Sequence, residues 1–164
     1  MNHSNKIVQR ERLAEMAMRW RAQGEKIILT NGCFDLLHVG HVRYLRGAKE
    51  LGGKVVVAVN SDESARELKG EGRPHTSQQE RAELLAALQD VDAVVIFPEK
   101  DVTAIIRELR PDIHAKGTDY TEASVPEGAL VRELGGRVAI VGDPKDHSST
   151  DAIAKLGHPR RIKK

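Results

Sequence analysis

Five short apolar segments alternate with helical patterns along the chain, and this alternation is the strongest constraint on its fold. The predicted strands are residues 26–30, 54–59, 93–96, 112–115 and 137–141. They are short and apolar, as strands that are buried on both faces are. Strands that are separated by helices pair in parallel through right-handed crossovers. The sequence therefore predicts an α/β fold: a Rossmann-like, doubly wound, five-stranded parallel sheet with helices on both faces.

Seven segments carry helical spacing of apolar residues. The predicted helices are residues 5–23, 39–51, 63–69, 77–88, 102–109, 126–134 and 149–156. The first has Leu13, Met16, Ala17 and Trp20 on one face, which indicates a core contact or the contact face of a homodimer. At 164 residues the chain is expected to form one domain, 1–164. Within it, residues 1–24 form an N-terminal helical segment and 158–164 a basic, solvated tail.

Composition excludes several classes of protein. A net charge of +2 and 3% aromatic residues argue against a nucleic-acid-binding surface, which needs a basic stripe or stacking platforms. Apolar runs are too short to predict a membrane-spanning segment. The single cysteine, Cys33, excludes an internal disulfide, and no signal peptide is recognisable, so a cytoplasmic location is expected. Cys33 itself is interpreted as a small packed residue rather than a nucleophile.

The segment from Asn31 to His41 carries the strongest functional signal. It follows the first strand, passes through Gly32 and opens the helix at His38-Val39-Gly40-His41. A strand, a glycine loop and a helix N-terminus hold phosphate with free N–H groups and the helix dipole. His38 and His41 are three residues apart on the same face and can donate hydrogen bonds to phosphate oxygens. With no Cys pair or third clustered histidine, a protein-bound metal is not predicted.

Further polar motifs follow the other predicted strands. They are residues 60–62, 116–120 and 143–150. In a doubly wound sheet, ligands bind beyond the carboxyl ends of the strands where the strand order reverses. The motifs are therefore expected to converge on one cleft.

Two segments at this rim have both a structural and a functional interpretation. Ser148, Ser149 and Thr150 could cap the last helix or cradle a phosphate at its start. The glycine-rich loop of residues 69–74 could be an ordinary surface loop or a lid over phosphates.

Three single residues also have both a structural and a functional interpretation. Lys49 could contact a sugar phosphate or be a solvated charge on the helix that carries the histidines. Asp35 and Asn60 could bind sugar hydroxyls or order their loops.

Five segments carry a resemblance to a known family and follow one another in the same order as in that family: residues 30–41, 57–62, 68–74, 116–120 and 148–151. Through these segments the chain resembles the nucleotidyltransferases of the H-x-G-H superfamily. Within it the chain most resembles the heptose-1-phosphate adenylyltransferase (ADP-heptose synthase) family. The resemblance implies transfer of AMP from ATP to a heptose-1-phosphate, for lipopolysaccharide precursor synthesis. Mg²⁺ would be held mainly by the nucleotide phosphates. Many relatives are fused to a sugar kinase, which this chain is too short to include, so a separate kinase is expected.

The resemblance also assigns roles to residues. His38 and His41 are the expected catalytic residues. The expected nucleotide and phosphate contacts are Asn31, Gly32, Cys33, Phe34, His38, Gly40, His41, Arg73, Lys116, Gly117, Asp119, Ser148, Ser149 and Thr150. The expected sugar-phosphate contacts are Asp35, Lys49 and Asn60. Thr118 departs from the family pattern, which commonly has a glycine there.

Two other functions are compatible with parts of the pattern. A glycerol-3-phosphate cytidylyltransferase shares the H-x-G-H turn, but residues 31–33 and 116–120 favour the heptose enzyme. A nucleotide-binding regulatory protein without catalysis is the non-enzymatic alternative, and the presence of both histidines argues against it.

Overall fold

A computed structural model of the protein describes residues 3–144 and 149–157, and a parallel sheet forms its centre. The strands are β1 (Ile27–Gly32), β2 (Lys54–Asn60), β3 (Ala93–Phe97), β4 (Ile113–Lys116) and β5 (Arg137–Ile140). They pair in the order β3-β2-β1-β4-β5, and every pairing is parallel. The predicted Rossmann-like architecture is confirmed.

The helices connect these strands. They are α1 (Arg10–Ala22), α2 (Val39–Glu50), α3 (Asp62–Lys69), α4 (Gln78–Ala86), α5 (Thr103–Leu109), α6 (Gly128–Glu133) and α7 (Ser149–Leu156). No helix in the described ranges is both long and apolar enough to cross a membrane. Apart from the first helix, every element begins and ends within two residues of its prediction.

The predicted helix over 5–23 was wrong in its first five residues. Residues His3–Lys6 form a short 3-10 helix, and α1 starts only at Arg10. Between them, Ile7 forms a parallel bridge with Val94, and the Val8 amide donates to the Val94 carbonyl at 2.9 Å. Strand β3 lies at the edge of the sheet, so this segment satisfies backbone groups that the edge would otherwise leave open.

Alternate residues of the central strand belong to two separate cores. Ile28 faces a core with residues of α2 and α4, whereas Ile27 and Leu29 face a core with residues of α1, α5 and α6. Helices therefore cover both faces of the sheet. Leu13 and Ala17 of α1 are buried in the second core, so the first helix packs against its own sheet. A homodimer contact through this helix stays a prediction.

The order of the strands places the site. From β1 the chain first adds β2 and β3 on one side and then returns to add β4 and β5 on the other. The reversal lies between β1 and β4, where neighbouring loops separate and leave a crevice beyond the strand ends. The loop after β1 leads directly into α2 at this crevice.

Candidate active site

One cleft of about 540 Å³ lies at the carboxyl ends of β1 and β4. It also reaches the ends of β2 and β5, the N-terminus of α2 and the C-terminus of α3. The predicted site residues that line it are Asn31, Gly32, Cys33, Phe34, Asp35, His38, Gly40, His41, Asn60, Arg73, Lys116, Gly117, Asp119 and Thr150. The motifs therefore converge as the positions of the predicted strands indicated.

The two histidines cap the N-terminus of α2. His38 Nδ1 accepts a hydrogen bond from the Gly40 amide at 3.1 Å, and His41 Nδ1 accepts from the His38 amide at 3.3 Å. A neutral imidazole that accepts at Nδ1 carries its proton on Nε2. The backbone of the turn therefore sets both rings as Nε2–H donors. The spacing predicted the shared face of the two rings but not this reciprocal capping.

Burial keeps His41 neutral. The His38 and His41 ring centroids are 4.0 Å apart, and the Phe34 ring lies 5.3 Å from His41. Desolvation, with smaller contributions from His38 and Lys69, lowers the pKa of His41 to about 4. Near neutral pH its Nε2–H is a fixed hydrogen-bond donor, which suits stabilisation of developing charge on phosphate oxygens.

Asp35 orders the segment that follows the glycine-rich loop. Its buried carboxylate accepts from Arg73 Nε at 2.6 Å, from the His75 amide at 2.6 Å and from the Thr76 amide at 3.3 Å. Burial opposes ionisation, but these hydrogen bonds and the Arg73 charge outweigh it and lower the pKa of Asp35. Both carboxylate oxygens are thus occupied, which favours the loop-ordering interpretation of Asp35 over contact with a sugar hydroxyl.

Arg73 is anchored through one nitrogen. Its Nε pairs with Asp35, while Nη1 and Nη2 have no partner among the residues that the structure describes. The side chain lines the cleft, and the preceding Gly70 and Gly72 have φ values of 93° and 79°, a left-handed backbone that favours glycine. Arg73 is therefore placed to contact an anion in the cleft from the loop side.

Arg81 of α4 is buried behind the wall of the cleft and holds several of its segments together. This residue was not identified from the sequence. Its fully buried guanidinium donates to the carbonyls of Cys33 at 2.6 Å and Asn60 at 2.8 Å. It also donates to the Thr76 carbonyl at 3.1 Å and to Asp62 Oδ1 at 2.8 Å. It therefore joins the chain after β1, the end of β2 and the loop that contains Arg73. The missed signal was its helical spacing, since Arg81 lies four residues before the buried Leu85.

Asn31 and Lys116 meet where the strand order reverses. Asn31 Oδ1 accepts from Lys116 Nζ at 3.3 Å and lies 3.1 Å from His114 Nε2. Lys116 Nζ also lies 4.6 Å from the centre of the Tyr120 ring, and burial lowers the pKa of Lys116. The predicted strand over 112–115 suggested only an apolar core strand, so the buried His114 was not singled out.

Cys33 and Asn60 have mainly local partners. Burial raises the pKa of the Cys33 thiol, whose Sγ lies 3.8 Å from Asn60 Oδ1. A protonated thiol is a weak nucleophile, so this environment supports the packing interpretation of Cys33. Asn60 Nδ2 donates to Ser64 Oγ at 3.2 Å, which orders the first turn of α3.

Lys49 is not part of the cleft, which corrects its assignment as a sugar-phosphate contact. Its Nζ binds Asp92 Oδ2 at 2.6 Å and the Gly53 carbonyl at 3.2 Å. Eleven residues separate it from His38, so it lies about 16 Å further along α2. The cleft is at the other end of that helix.

The segment before α7 is described in part. Ser148 lies outside the residues that the structure describes. Ser149 is the first residue of α7, and only its backbone is described. Thr150 lines the cleft, so the start of α7 lies at the same cleft as the other motifs, as predicted. Thr118, which departs from the expected family pattern, donates from Oγ1 to the Asp143 carbonyl at 2.6 Å. This bond links the loop after β4 to the chain after β5.

The comparisons with known proteins agree with this geometry. The sequence model of the cytidylyltransferase-like family matches residues 29–155, which include most of β1, the four other strands and the whole segment from Asn31 to His41. The chain belongs to this family. The family resemblance that the motifs indicated is therefore confirmed.

Individual relatives show which proteins of the family the chain is similar to. The chain is 48% identical over 153 residues to the Bifunctional protein HldE of Magnetococcus marinus and 49% identical over 153 residues to that of Koribacter versatilis. Each match covers 93% of this chain and 31% of the relative, so the chain spans about a third of the length of these proteins. A crystal structure of the lipopolysaccharide core biosynthesis protein from Thermoplasma volcanium is similar, with a TM-score of 0.64 and 29% identity. That match covers 74% of this chain and 100% of the other.

Proposed function

We propose that the protein transfers the AMP moiety of ATP to a heptose-1-phosphate, giving ADP-heptose and pyrophosphate for lipopolysaccharide precursor synthesis. The observation that carries this proposal is the pair of imidazoles whose protons are fixed on Nε2 at the start of α2, in a cleft with Lys116 and Arg73. Similarity to the HldE proteins over nearly the whole chain supports the choice of a sugar phosphate as the acceptor.

The reaction needs no strong general base. An oxygen of the sugar phosphate attacks the α-phosphorus of ATP, a new P–O bond forms, and the bond to the β-phosphate oxygen breaks to release pyrophosphate. The attacking monoester has a second pKa of about 6, so it is anionic near neutral pH. A neutral His41 fits this chemistry, because the rate depends on positioning and on stabilising charge rather than on removing a proton.

The histidines would act on the phosphate oxygens. Negative charge builds up on the α-phosphate and on the leaving oxygen as the bonds exchange. Donors that are already fixed by the protein stabilise that charge without reorganising during the reaction. The capping bonds of His38 and His41 provide this fixed orientation, and the dipole at the start of α2 adds to it.

The two substrates would occupy different halves of the cleft. Lys116, Gly117 and Thr150 lie on the β4 and α7 side, which suits the nucleotide. Lys69 and Arg73 lie on the α3 side, where they suit the phosphate of the sugar. The reacting oxygen and phosphorus would then meet in front of α2, between the two halves.

The residues of the cleft fit a magnesium ion that arrives with the nucleotide. Within residues 3–144 and 149–157, no group of three or more His, Cys, Asp or Glu side chains could hold a metal ion. Magnesium usually keeps several waters and binds through substrate phosphates, so a dedicated protein cage is not required. Bound in this way, Mg²⁺ would neutralise part of the triphosphate charge. Lys116 would contact the same phosphates directly.

Release of pyrophosphate in a two-by-two assay tests the proposal. ATP and CTP would each be combined with heptose-1-phosphate and with glycerol-3-phosphate, in the presence of magnesium. We expect ATP with heptose-1-phosphate to exceed CTP with glycerol-3-phosphate by several orders of magnitude in kcat/KM, since unpaired polar groups penalise a smaller acceptor. A preference for CTP with glycerol-3-phosphate would establish the cytidylyltransferase alternative, and no turnover with any pair would favour a nucleotide-binding regulator.

A further inference from the structure

A fully buried histidine lies beneath the floor of the cleft. His114 is on β4, and its Nε2 is 3.1 Å from Asn31 Oδ1. The same oxygen accepts a hydrogen bond from Lys116 Nζ at 3.3 Å. An ammonium group can only donate, so the Asn31 atom between these two nitrogens must be the amide oxygen rather than the amide nitrogen. The orientation of the Asn31 carboxamide is therefore determined by its two neighbours.

The same contact determines the state of His114. Because Nε2 faces an acceptor, it carries the proton, and Nδ1 is left with a lone pair. Nδ1 is buried and has no hydrogen-bond partner within the described part of the chain. Burial lowers the pKa of His114 to about 3, so the ring stays neutral with this arrangement of protons.

A purely structural role explains His114 poorly. A buried acceptor without a partner costs stability, and an apolar side chain of similar size would avoid that cost. What His114 provides that an apolar residue could not is the hydrogen bond to Asn31. Its place in the molecule therefore points to Asn31 as the group through which it acts.

Asn31 is in a position to contact a ligand. Its oxygen is occupied by His114 and Lys116, while its Nδ2 has no partner in the parts of the chain that the structure describes. Asn31 is partly exposed and lines the cleft, so the carboxamide offers N–H donors there. The Lys116 amine beside it is held against the Tyr120 ring. A fixed amide donor next to a cation suits an oxygen acceptor of an anionic ligand.

We propose that His114 is a positioning residue, which holds the Asn31 carboxamide so that its NH₂ group donates to an oxygen of the bound nucleoside triphosphate. This inference rests on the proposed function, in which the side of the cleft with Lys116 receives the nucleotide. Without His114, the amide can rotate and present its oxygen to the phosphates, which replaces an attraction by a repulsion.

Two substitutions of His114 separate this role from packing. His114→Leu keeps the volume and removes the donor, whereas His114→Gln keeps an N–H donor near the position of Nε2. Each would be made alone and together with Asn31→Ala. The measurements are the KM values for ATP and heptose-1-phosphate, ATP binding by calorimetry in the presence of Mg²⁺, and the melting temperature. Ile106→Val, a buried change in α5, is the control for general loss of stability.

We expect His114→Leu to raise the KM for ATP and its Kd about 3- to 10-fold, the size of one ordinary hydrogen bond. The KM for heptose-1-phosphate should change little, and His114→Gln should restore most of the ATP affinity. In the Asn31→Ala background, His114→Leu should have no further effect on ATP binding, because the group that it positions is gone.

Other results would overturn the inference. Equal effects of His114→Leu with and without Asn31 would show that it acts by packing alone. A change in the KM for heptose-1-phosphate, with no change in the KM for ATP, would show that the Asn31 NH₂ group contacts the sugar phosphate and not the nucleotide. Failure of the unaltered protein to bind ATP would be a different result, since it would remove the proposed function itself and this inference with it.

Discussion

His41 combines burial with a hydrogen-bond donor whose position is fixed by the backbone. Its Nδ1 is engaged by the His38 amide, and its pKa is lowered to about 4. In the proposed reaction, an imidazole in this state would act as a hydrogen-bond donor. Its effect should therefore appear in the rate of the chemical step rather than in the stability of the fold.

Replacing His41 with Ala should lower kcat by about two to three orders of magnitude, because one fixed donor to transition-state charge is typically worth about 3–4 kcal/mol. Steady-state pyrophosphate release would measure this, and circular dichroism would check the fold. His75→Ala is the matched control, since that side chain is exposed and does not line the cleft. Near-full turnover of the His41 variant would remove this residue from the mechanism.

The two neutral histidines should also make stability depend on pH. Their pKa values in the folded protein, about 4 for His41 and about 3 for His114, lie below the ordinary 6.5. At pH values between the folded pKa and 6.5, each of these histidines binds more protons in the unfolded chain than in the folded protein. Their contribution to the free energy of unfolding should therefore fall as the pH decreases below 6.5 and stay level above 6.5. Near pH 5 each histidine contributes a slope of at most about 1.4 kcal/mol per pH unit.

Urea unfolding of His114→Leu at pH 7, 6 and 5 would check this. The variant should lose less stability on acidification than the unaltered protein, because one of the two buried histidines is gone. Carboxylates such as Asp35 affect both proteins alike, so the difference between the two slopes isolates His114. Identical slopes would contradict the low pKa of His114.

At the scale of elements, Arg81 connects segments that the sheet alone does not hold together. Its four hydrogen bonds reach the chain after β1, the end of β2, the start of α3 and the loop before α4. A buried guanidinium is tolerated only when acceptors such as these compensate for the loss of its hydration. This one side chain therefore links the segments that form the wall of the cleft on the α3 side.

Arg81→Met should destabilise the protein by about 3–5 kcal/mol, because it leaves Asp62 and three carbonyls without their donor. Chemical denaturation would measure the change. Arg107→Met in α5 is the control, and at an exposed helical position it should stay within about 0.5 kcal/mol of the unaltered protein. A loss for Arg81→Met as small as that of the control would show that the network contributes little.

At the scale of the whole molecule, the cleft is where separate parts of the sheet come together. Loops from β1 and β2 on one side and β4 and β5 on the other line it. A ligand that bridges them binds the folded chain and not the unfolded one, so binding should raise the stability of the entire domain.

ATP with magnesium at about 100 times its Kd should add about 2.7 kcal/mol to the free energy of unfolding. For a chain of this size, the melting temperature should rise by about 5–10 °C. A thermal-shift series with ATP, CTP, GTP and UTP would rank the nucleotides, with magnesium alone as the blank. Equal shifts for all four would contradict selection of adenine.

The sequence by itself determined the architecture and the place of the cleft. Short apolar strands that alternate with helices admit few topologies, and in a parallel sheet each strand delivers its following loop to the same edge. The positions of His38, His41, Lys116 and Thr150 followed from this rule. Such patterns are local and periodic, so they can be recognised without knowing any long-range contact.

Only the tertiary structure decided which polar side chains belong to the site and how they act. Lys49 is paired with Asp92, Asp35 is occupied by Arg73, and the buried Arg81 and His114 hold the walls and floor of the cleft. The contacts of Lys49 with Asp92, of Asp35 with Arg73 and of His114 with Asn31 join residues that are 43, 38 and 83 positions apart. The physical reason is that a charged or polar residue has the same local pattern whether it ends in solvent or in a buried pair, and only packing brings its partner.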